Sequence, residues 1–244
     1  MFVRLALALG AIVGTMAVMA LAPGKASASE LLRRAGKHLA LRVSTGDAAL
    51  ARVNEVSYMP AGDEAVRASL PVIEAELARY PSAVFARAHF ERLVIARWVK
   101  INERPVGGAA CLNEGTVILG IGGPGGVDEA WLRRSVHHEV FHMMDRAITA
   151  TVDDSWAWNG LNAHGFEYVG LESYPSAPDQ GFVSGYSMSA GNEDRAEIFS
   201  YLMNDPKLVA LRASMDGIVR AKVDCLVRVV RERYPELRDV VPNP

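Results

Sequence analysis

The stretch His137-His138-Glu139-Val140-Phe141-His142-Met143-Met144-Asp145 decides how the rest of the chain is read. Within it, His138, Glu139 and His142 spell HExxH, a signature of zinc metallopeptidases. Positions four apart share one face of a helix, so both imidazoles can grip one Zn²⁺ while Glu139 reaches the water that the metal activates. The flanks supply that helix. No Gly or Pro occurs from residue 127 to 150, and Asp128 and Glu129 stand where a helix start favours acids. Trp131, Ser135, His138, His142 and Asp145 then fall along one face. His137 is turned about 100° from His138 and is expected to be no ligand. The competing reading is a core and a surface histidine that happen to be neighbours on a helix.

At the other end, Met1-Phe2-Val3-Arg4 precedes an uncharged, mostly apolar run from Leu5 to Ala22, followed by Pro23-Gly24-Lys25 and Ala26-Ser27-Ala28. One basic residue, an apolar core, a helix breaker and small residues make a secretory signal, with cleavage expected after Ala28. Its many Ala and Gly argue against a retained membrane span. The expected division is therefore a signal peptide at 1–28 and one domain at 29–244, exported to the periplasm or the medium. The 216 residues left suffice for a sizeable core. They carry 24 basic and 28 acidic residues, a net charge of −4, too little positive charge to track a phosphate backbone, so no nucleic-acid partner is expected. Cys111 and Cys225 are the two cysteines, and export permits a disulfide between them.

Along the chain, residues 30–43 read as a helix broken by Ser44-Thr45-Gly46-Asp47. Residues 63–80 read as a second helix, with Pro71 marking a boundary or kink and Tyr80-Pro81 closing it. The period then changes. Residues 92–99 and 115–121 read as strands, with Val106-Gly107-Gly108-Ala109 between them. Gly122-Gly123-Pro124-Gly125-Gly126 lacks the residues of a phosphate loop and reads as a turn at the rim of the site. Residues 153–180 hold Trp156, Trp158, His164, Tyr168 and Tyr174, too many aromatics for a linker, and are expected to pack near the metal cleft. His164 reads as a loop residue rather than a ligand.

Two histidines do not complete a catalytic zinc site, which takes three protein ligands and one open position. The informative segment is Gly181-Phe182-Val183-Ser184-Gly185-Tyr186-Ser187-Met188-Ser189-Ala190-Gly191-Asn192-Glu193-Asp194-Arg195-Ala196-Glu197. Asn192 reads as a helix cap, and Glu193 and Glu197 lie one turn apart on the helix that follows. Such a pair offers one carboxylate to the metal and one behind it; two acids on a wet helix face is the other reading. Asp145 and Glu197 are candidates to accept hydrogen bonds from the ligand imidazoles and so fix their tautomers. A plain surface role suits Asp145 as well.

HHEVFHMMD and FVSGYSMSAGNEDRAEIFSYLM together resemble the gluzincin metallopeptidases of the lethal-factor-like branch, above all zinc-binding metallopeptidases exported by bacteria. The resemblance spans roughly residues 65–203. Its more particular mark is a Tyr seven residues ahead of the first Glu of an ExxAE helix. It implies an α+β fold, a mainly helical zincin-like domain with a small β-sheet, the HExxH helix and a later helix carrying a Glu ligand. It also implies Glu193 as the third ligand and Tyr186 as the oxyanion donor. Arg195 departs from the pattern, since relatives usually hold an apolar or aromatic residue there.

The function expected is zinc-dependent hydrolysis of peptide or protein substrates, with Glu139 as general base and Tyr186 beside it as the second catalytic group. The alternatives are a zinc-holding pseudo-peptidase and a non-catalytic envelope binding protein. No stable membrane insertion is expected once the signal is gone.

Overall fold

Residues 92–101, RLVIARWVKI, are apolar on both faces for most of their length, and the sheet is built around them. The computed structural model describes residues 26–46, 51–53, 55–122, 128–149 and 154–243. The expected signal lies almost wholly outside these residues, as does most of the Gly122–Gly126 loop. In chain order the described elements are α1 (Ala28–Leu39), β1 (Arg42–Ser44), β2 (Ala51–Val53), β3 (Val56–Pro60), α2 (Asp63–Leu77), α3 (Ser82–Arg87), β4 (Arg92–Ile101), β5 (Arg104–Val106), β6 (Gly108–Cys111), β7 (Thr116–Gly120), α4 (Glu129–Thr149), α5 (Asp154–Asn159), α6 (Gly191–Asn204), α7 (Pro206–Met215) and α8 (Gly217–Arg233). The fold is a mixed α+β domain, mostly helical with one small sheet.

The sheet runs β2-β3-β4-β7-β6. β7 lies parallel to β4, pairing Arg92 with Thr116 and Ala96 with Gly120, and β3 lies antiparallel on the opposite side. β1 and β5 extend the two edges of β4 at its ends. Side chains alternate across the sheet. Leu93, Ile95, Val117 and Leu119 face the helices and join the main core, while Val94, Ala96, Ile118, Ala109 and Cys111 form a smaller cluster behind with Val56 and Tyr58.

α4 lies between the sheet and the other helices, and its buried residues point in every direction, from Leu132 and Val136 to Phe141, Met144 and Ile148. Asp128 caps it, accepting a bond from the Trp131 N–H at 3.0 Å. α6 packs along it, with Phe141 and Phe199 stacked at 4.8 Å between ring centres. On the opposite side His137 is fully buried against α2. Its Nε2 lies 2.9 Å from Glu76 Oε2, and the Tyr80 hydroxyl is 2.5 Å from Nδ1.

Several sequence expectations shift. The first helix stops at Leu39 because Ala40 turns left-handed, at φ 55°, and residues 42–44 become β1 instead of helix. Pro71 sits inside α2 without ending it, and the helix closes at Leu77. The Val106-Gly107-Gly108-Ala109 connection contributes to β5 and β6. Cys111 and Cys225 do not form the expected disulfide with each other. The cause is their layers: Cys111 joins the cluster behind the sheet, where burial pushes its thiol up to about 12, while Cys225 packs against the main core from α8. Among the described residues no helix is long and apolar enough to cross a membrane.

Candidate metal centre

α4 and α6 carry the groups that converge. His138 and His142, one turn apart on α4, turn their Nε2 atoms to within 3.0 Å of each other. Glu193, in the first turn of α6, places Oε2 at 3.0 Å from His138 Nε2 and 3.3 Å from His142 Nε2. Among the described residues this is the one cluster of three or more His, Cys, Asp or Glu arranged to hold a metal ion. Bonds of about 2.0–2.1 Å to zinc place neighbouring tetrahedral ligands about 3.3 Å apart, so the three atoms sit at the spacing the ion imposes. Two histidines and one carboxylate are also a donor set of catalytic zinc sites. The residues present therefore fit the ion.

The carboxylates are oriented from behind. Asn192 Nδ2 donates to Glu193 Oε1 at 2.8 Å, which leaves Oε2 for the imidazoles. Asn192 is thus no helix cap: Ala190 holds that position, and the asparagine side chain serves the ligand instead. Glu197 Oε1 accepts from His138 Nδ1 at 3.1 Å, which leaves the His138 Nε2 lone pair facing the cluster. Asp145 does not meet an imidazole. Its carboxylate is taken by Arg195, whose Nη2 donates to Oδ2 at 2.7 Å and whose Nε lies 3.1 Å from both oxygens. The residue that departs from the resemblance is thereby accounted for as a bridge between α4 and α6. His164 is exposed and outside the cluster.

Glu139 stands beside the ligands on α4, buried at 6% exposure. β6 crosses close over it, and a Cβ on Gly108 would lie 2.7 Å from Glu139 Oε1, so a larger residue there would displace the Glu139 side chain. The Ala110 backbone N–H donates to the Glu139 carboxylate. Burial raises the Glu139 pKa above its usual range, opposed by the charges of His138 and His142. For Glu193 burial pulls the same way, but His142 and His138 outweigh it and hold the carboxyl well below its usual range. Burial would lower the His138 pKa; hydrogen bonds to Glu193 and Glu197 overcome this and lift it to about 10. Three acids around two imidazoles thus select a positive charge. A divalent cation at the cluster would supply it.

Tyr186 opens a single 3-10 turn, Tyr186–Met188, between the long excursion and α6. Its ring lies 5.9 Å from the His138 ring, and Tyr174 of the excursion packs edge-on against it at 5.1 Å. Burial, then the nearby Glu193 and Glu139 charges, raise the phenol pKa, so the hydroxyl keeps its proton as a donor. The excursion does pack on the site, as its aromatic content implied. Val169 N and Gly170 N donate to the Met188 and Ser189 carbonyls at 3.0 Å, and Trp158 and Tyr168 both donate to Asp194 at 3.0 Å. Asp194 also pairs at 2.7 Å with the fully buried Lys222 of α8. Sequence reading passed over Asn192 in this role, Lys222, and the two serines beside Tyr186. Their signal is weak, because ordinary polar residues acquire a role only through the packing of distant segments.

Residues 127–218 match the sequence model of the family described as Putative zinc-binding metallo-peptidase. The fold is similar to the crystal structure of a protein from Bacteroides caccae that carries the same description. The TM-score is 0.53 at 14% identity, with 86% of this chain and 87% of that chain covered. At that identity the likeness speaks for the fold. No curated protein matches the chain.

Proposed function

We propose that this chain is a zinc-dependent metallopeptidase of the gluzincin type, lethal-factor-like branch, exported by its N-terminal signal and acting on peptide or protein substrates. One observation carries the reading: His138 Nε2, His142 Nε2 and Glu193 Oε2 meet at zinc-ligand spacing with a buried carboxylate, Glu139, beside them. The matched family and the similar fold support it.

His138, His142 and Glu193 would hold Zn²⁺, which when bound polarises a carbonyl and lowers the pKa of water toward neutrality. Glu139 Oε takes a proton from the attacking water and returns it to the leaving amine nitrogen; its raised pKa brings it nearer to the working pH of a general base. The Tyr186 hydroxyl donates to the oxygen that gains charge as the carbonyl becomes tetrahedral. Glu197 keeps the proton of His138 on Nδ1, away from the cluster. The excursion and β6 flank this arrangement, through Tyr174 on Tyr186 and Gly108 over Glu139.

Export is part of the proposal, with the signal removed near Ala28. α1 begins at Ala28 with Ser27 as its cap, so removal of residues 1–28 would cost that helix its cap and first residue.

The test is zinc stoichiometry on the purified chain, beside turnover of a peptide library. One zinc per chain, lost in Glu193→Ala and retained without turnover in Glu139→Gln, is the expected result. A folded chain that takes up no zinc removes the reading; full turnover by Glu139→Gln removes the proposed base. Zinc uptake with no hydrolysis of any peptide identifies a zinc-holding pseudo-peptidase instead.

A further inference from the structure

The serines on either side of Gly185-Tyr186 bond to each other reciprocally. Ser184 N donates to Ser187 Oγ at 3.0 Å, Ser187 N donates to Ser184 Oγ at 3.1 Å, and the two hydroxyls are 2.9 Å apart. Ser184 Oγ also lies 2.5 Å from Glu197 Oε2, an oxygen that can only accept when ionised. That contact decides every proton in the group. Ser184 has one hydroxyl hydrogen, and it goes to Glu197; Ser187 therefore donates its own hydrogen to Ser184 Oγ. Ser184 Oγ is then fully used, donating once and accepting twice, and the Ser187 hydroxyl hydrogen is committed to it. Glu197 receives a hydrogen on each oxygen, from Ser184 on one side and from His138 Nδ1 on the other.

Surrounding packing holds this joint closed. Ser187 is fully buried, and the backbone of the excursion presses on the turn so closely that a Cβ on Gly185 would lie 1.8 Å from the Pro175 carbonyl oxygen. Tyr186 lies within the turn that the two serines span, its ring 5.9 Å from the His138 ring.

We propose that Ser184 and Ser187 form a positioning clasp: one joint that fixes both the Glu197 carboxylate behind His138 and the turn that carries Tyr186. The serines touch neither the ligand atoms nor substrate, and act through Glu197 and Tyr186. The ligand set and the oxyanion donor are thus set by a shared element, although they come from different segments. This inference rests on the metallopeptidase reading above.

Competitive chelator titration separates the two. Wild type, Ser184→Ala, Ser184→Thr, Glu197→Gln and the double variant Ser184→Ala/Glu197→Gln are compared for zinc affinity, with thermal melting of the zinc-free proteins as a control on folding. Loss of a group that orients a ligand costs roughly 10–100-fold in metal affinity or activity. Ser184→Ala is expected to fall in that range, with zinc-free melting little changed, and Ser184→Thr to recover most of it. Because the serine acts through Glu197, the double variant should bind zinc no more weakly than Glu197→Gln alone. On a cleavable peptide, Ser187→Ala should lower kcat more than it changes KM, by displacing Tyr186. Wild-type zinc affinity in Ser184→Ala overturns the clasp and leaves the metallopeptidase reading standing, as do additive losses in the double variant. A wild-type chain that binds no zinc overturns both.

Discussion

Tyr186 separates binding from chemistry more cleanly than any ligand does. Its hydroxyl is a proposed donor to charge that exists only as the carbonyl becomes tetrahedral, so removal should spare substrate binding. Tyr186→Phe is expected to reduce kcat by about 10²–10³-fold, the size of one lost oxyanion donor, with KM and zinc content unchanged. A raised KM at normal kcat, measured on the same peptide, would mark the ring as a substrate contact instead. Glu139 makes a pH prediction. It must be ionised to take a proton, and burial raises its pKa. The acid limb of kcat/KM should therefore sit above the ordinary carboxylate range, with activity falling as the pH drops through that raised value; a limb at or below the usual range removes Glu139 as the base. These two residues were legible for different reasons. Helical spacing alone put Glu139 beside His138 and His142 and paired Glu193 with Glu197, whereas choosing Glu193 within that pair, and Tyr186 at all, needed a resemblance, because a turn lies between Tyr186 and the helix. Asp145 could not be read at all. It lies on the ligand face of α4 by spacing, and only the packing of α6 shows that Arg195 claims it.

Between elements, that same pair sets how α4 and α6 lie against each other. Arg195 and Asp145 are 11% and 8% exposed in their side chains. Removing one partner leaves a buried charge without its mate, which costs about 3–5 kcal/mol, whereas replacing both with apolar residues often costs little. Arg195→Met should therefore lower the urea midpoint markedly, and Asp145→Leu/Arg195→Met should restore much of it. Equal losses in the single and double variants would show that the pair contributes no more than packing. The Trp158 ring beneath Arg195, 5.8 Å from its centroid, extends this clamp to the excursion. At this scale the legible elements were the long ones. The apolar runs at 92–99 and 115–121 announced β4 and β7, and the unbroken run after Asp128 announced α4. β1, β2 and β5 have three residues each, too few to show a period, and their strand character comes from pairing with β4 or β3.

Across the whole molecule, α4 is held from its far side by a cluster that takes no part in the chemistry. Glu76 of α2 accepts from His137, Arg79 and Arg133, and these bonds hold its carboxyl down to about 2 against the opposing effect of burial. The adjacent histidine of the HHEVFH run was legible as a residue turned away from His138; that it anchors α4 to α2 was not, since Glu76 is 61 residues distant. The sign of the acid response follows from these shifts. Glu76 has a folded pKa below its unfolded value of 4.5, so its stabilisation is complete above that pH and is lost as the pH falls toward 2. A shift of that size corresponds to about 3 kcal/mol. His137 acts in the same direction, because burial keeps it neutral in the fold while the unfolded chain protonates it near its usual value. Glu76→Gln should thus be less stable than wild type at pH 7 by about 3 kcal/mol, and the gap should shrink as the pH is lowered from 4.5 toward 2. Urea midpoints of both proteins, measured with zinc chelated so that ligand protonation is common to the pair, give the difference directly. A gap that stays constant over that interval would show that the Glu76 charge does not anchor α4, and that the cluster holds the helix by shape alone.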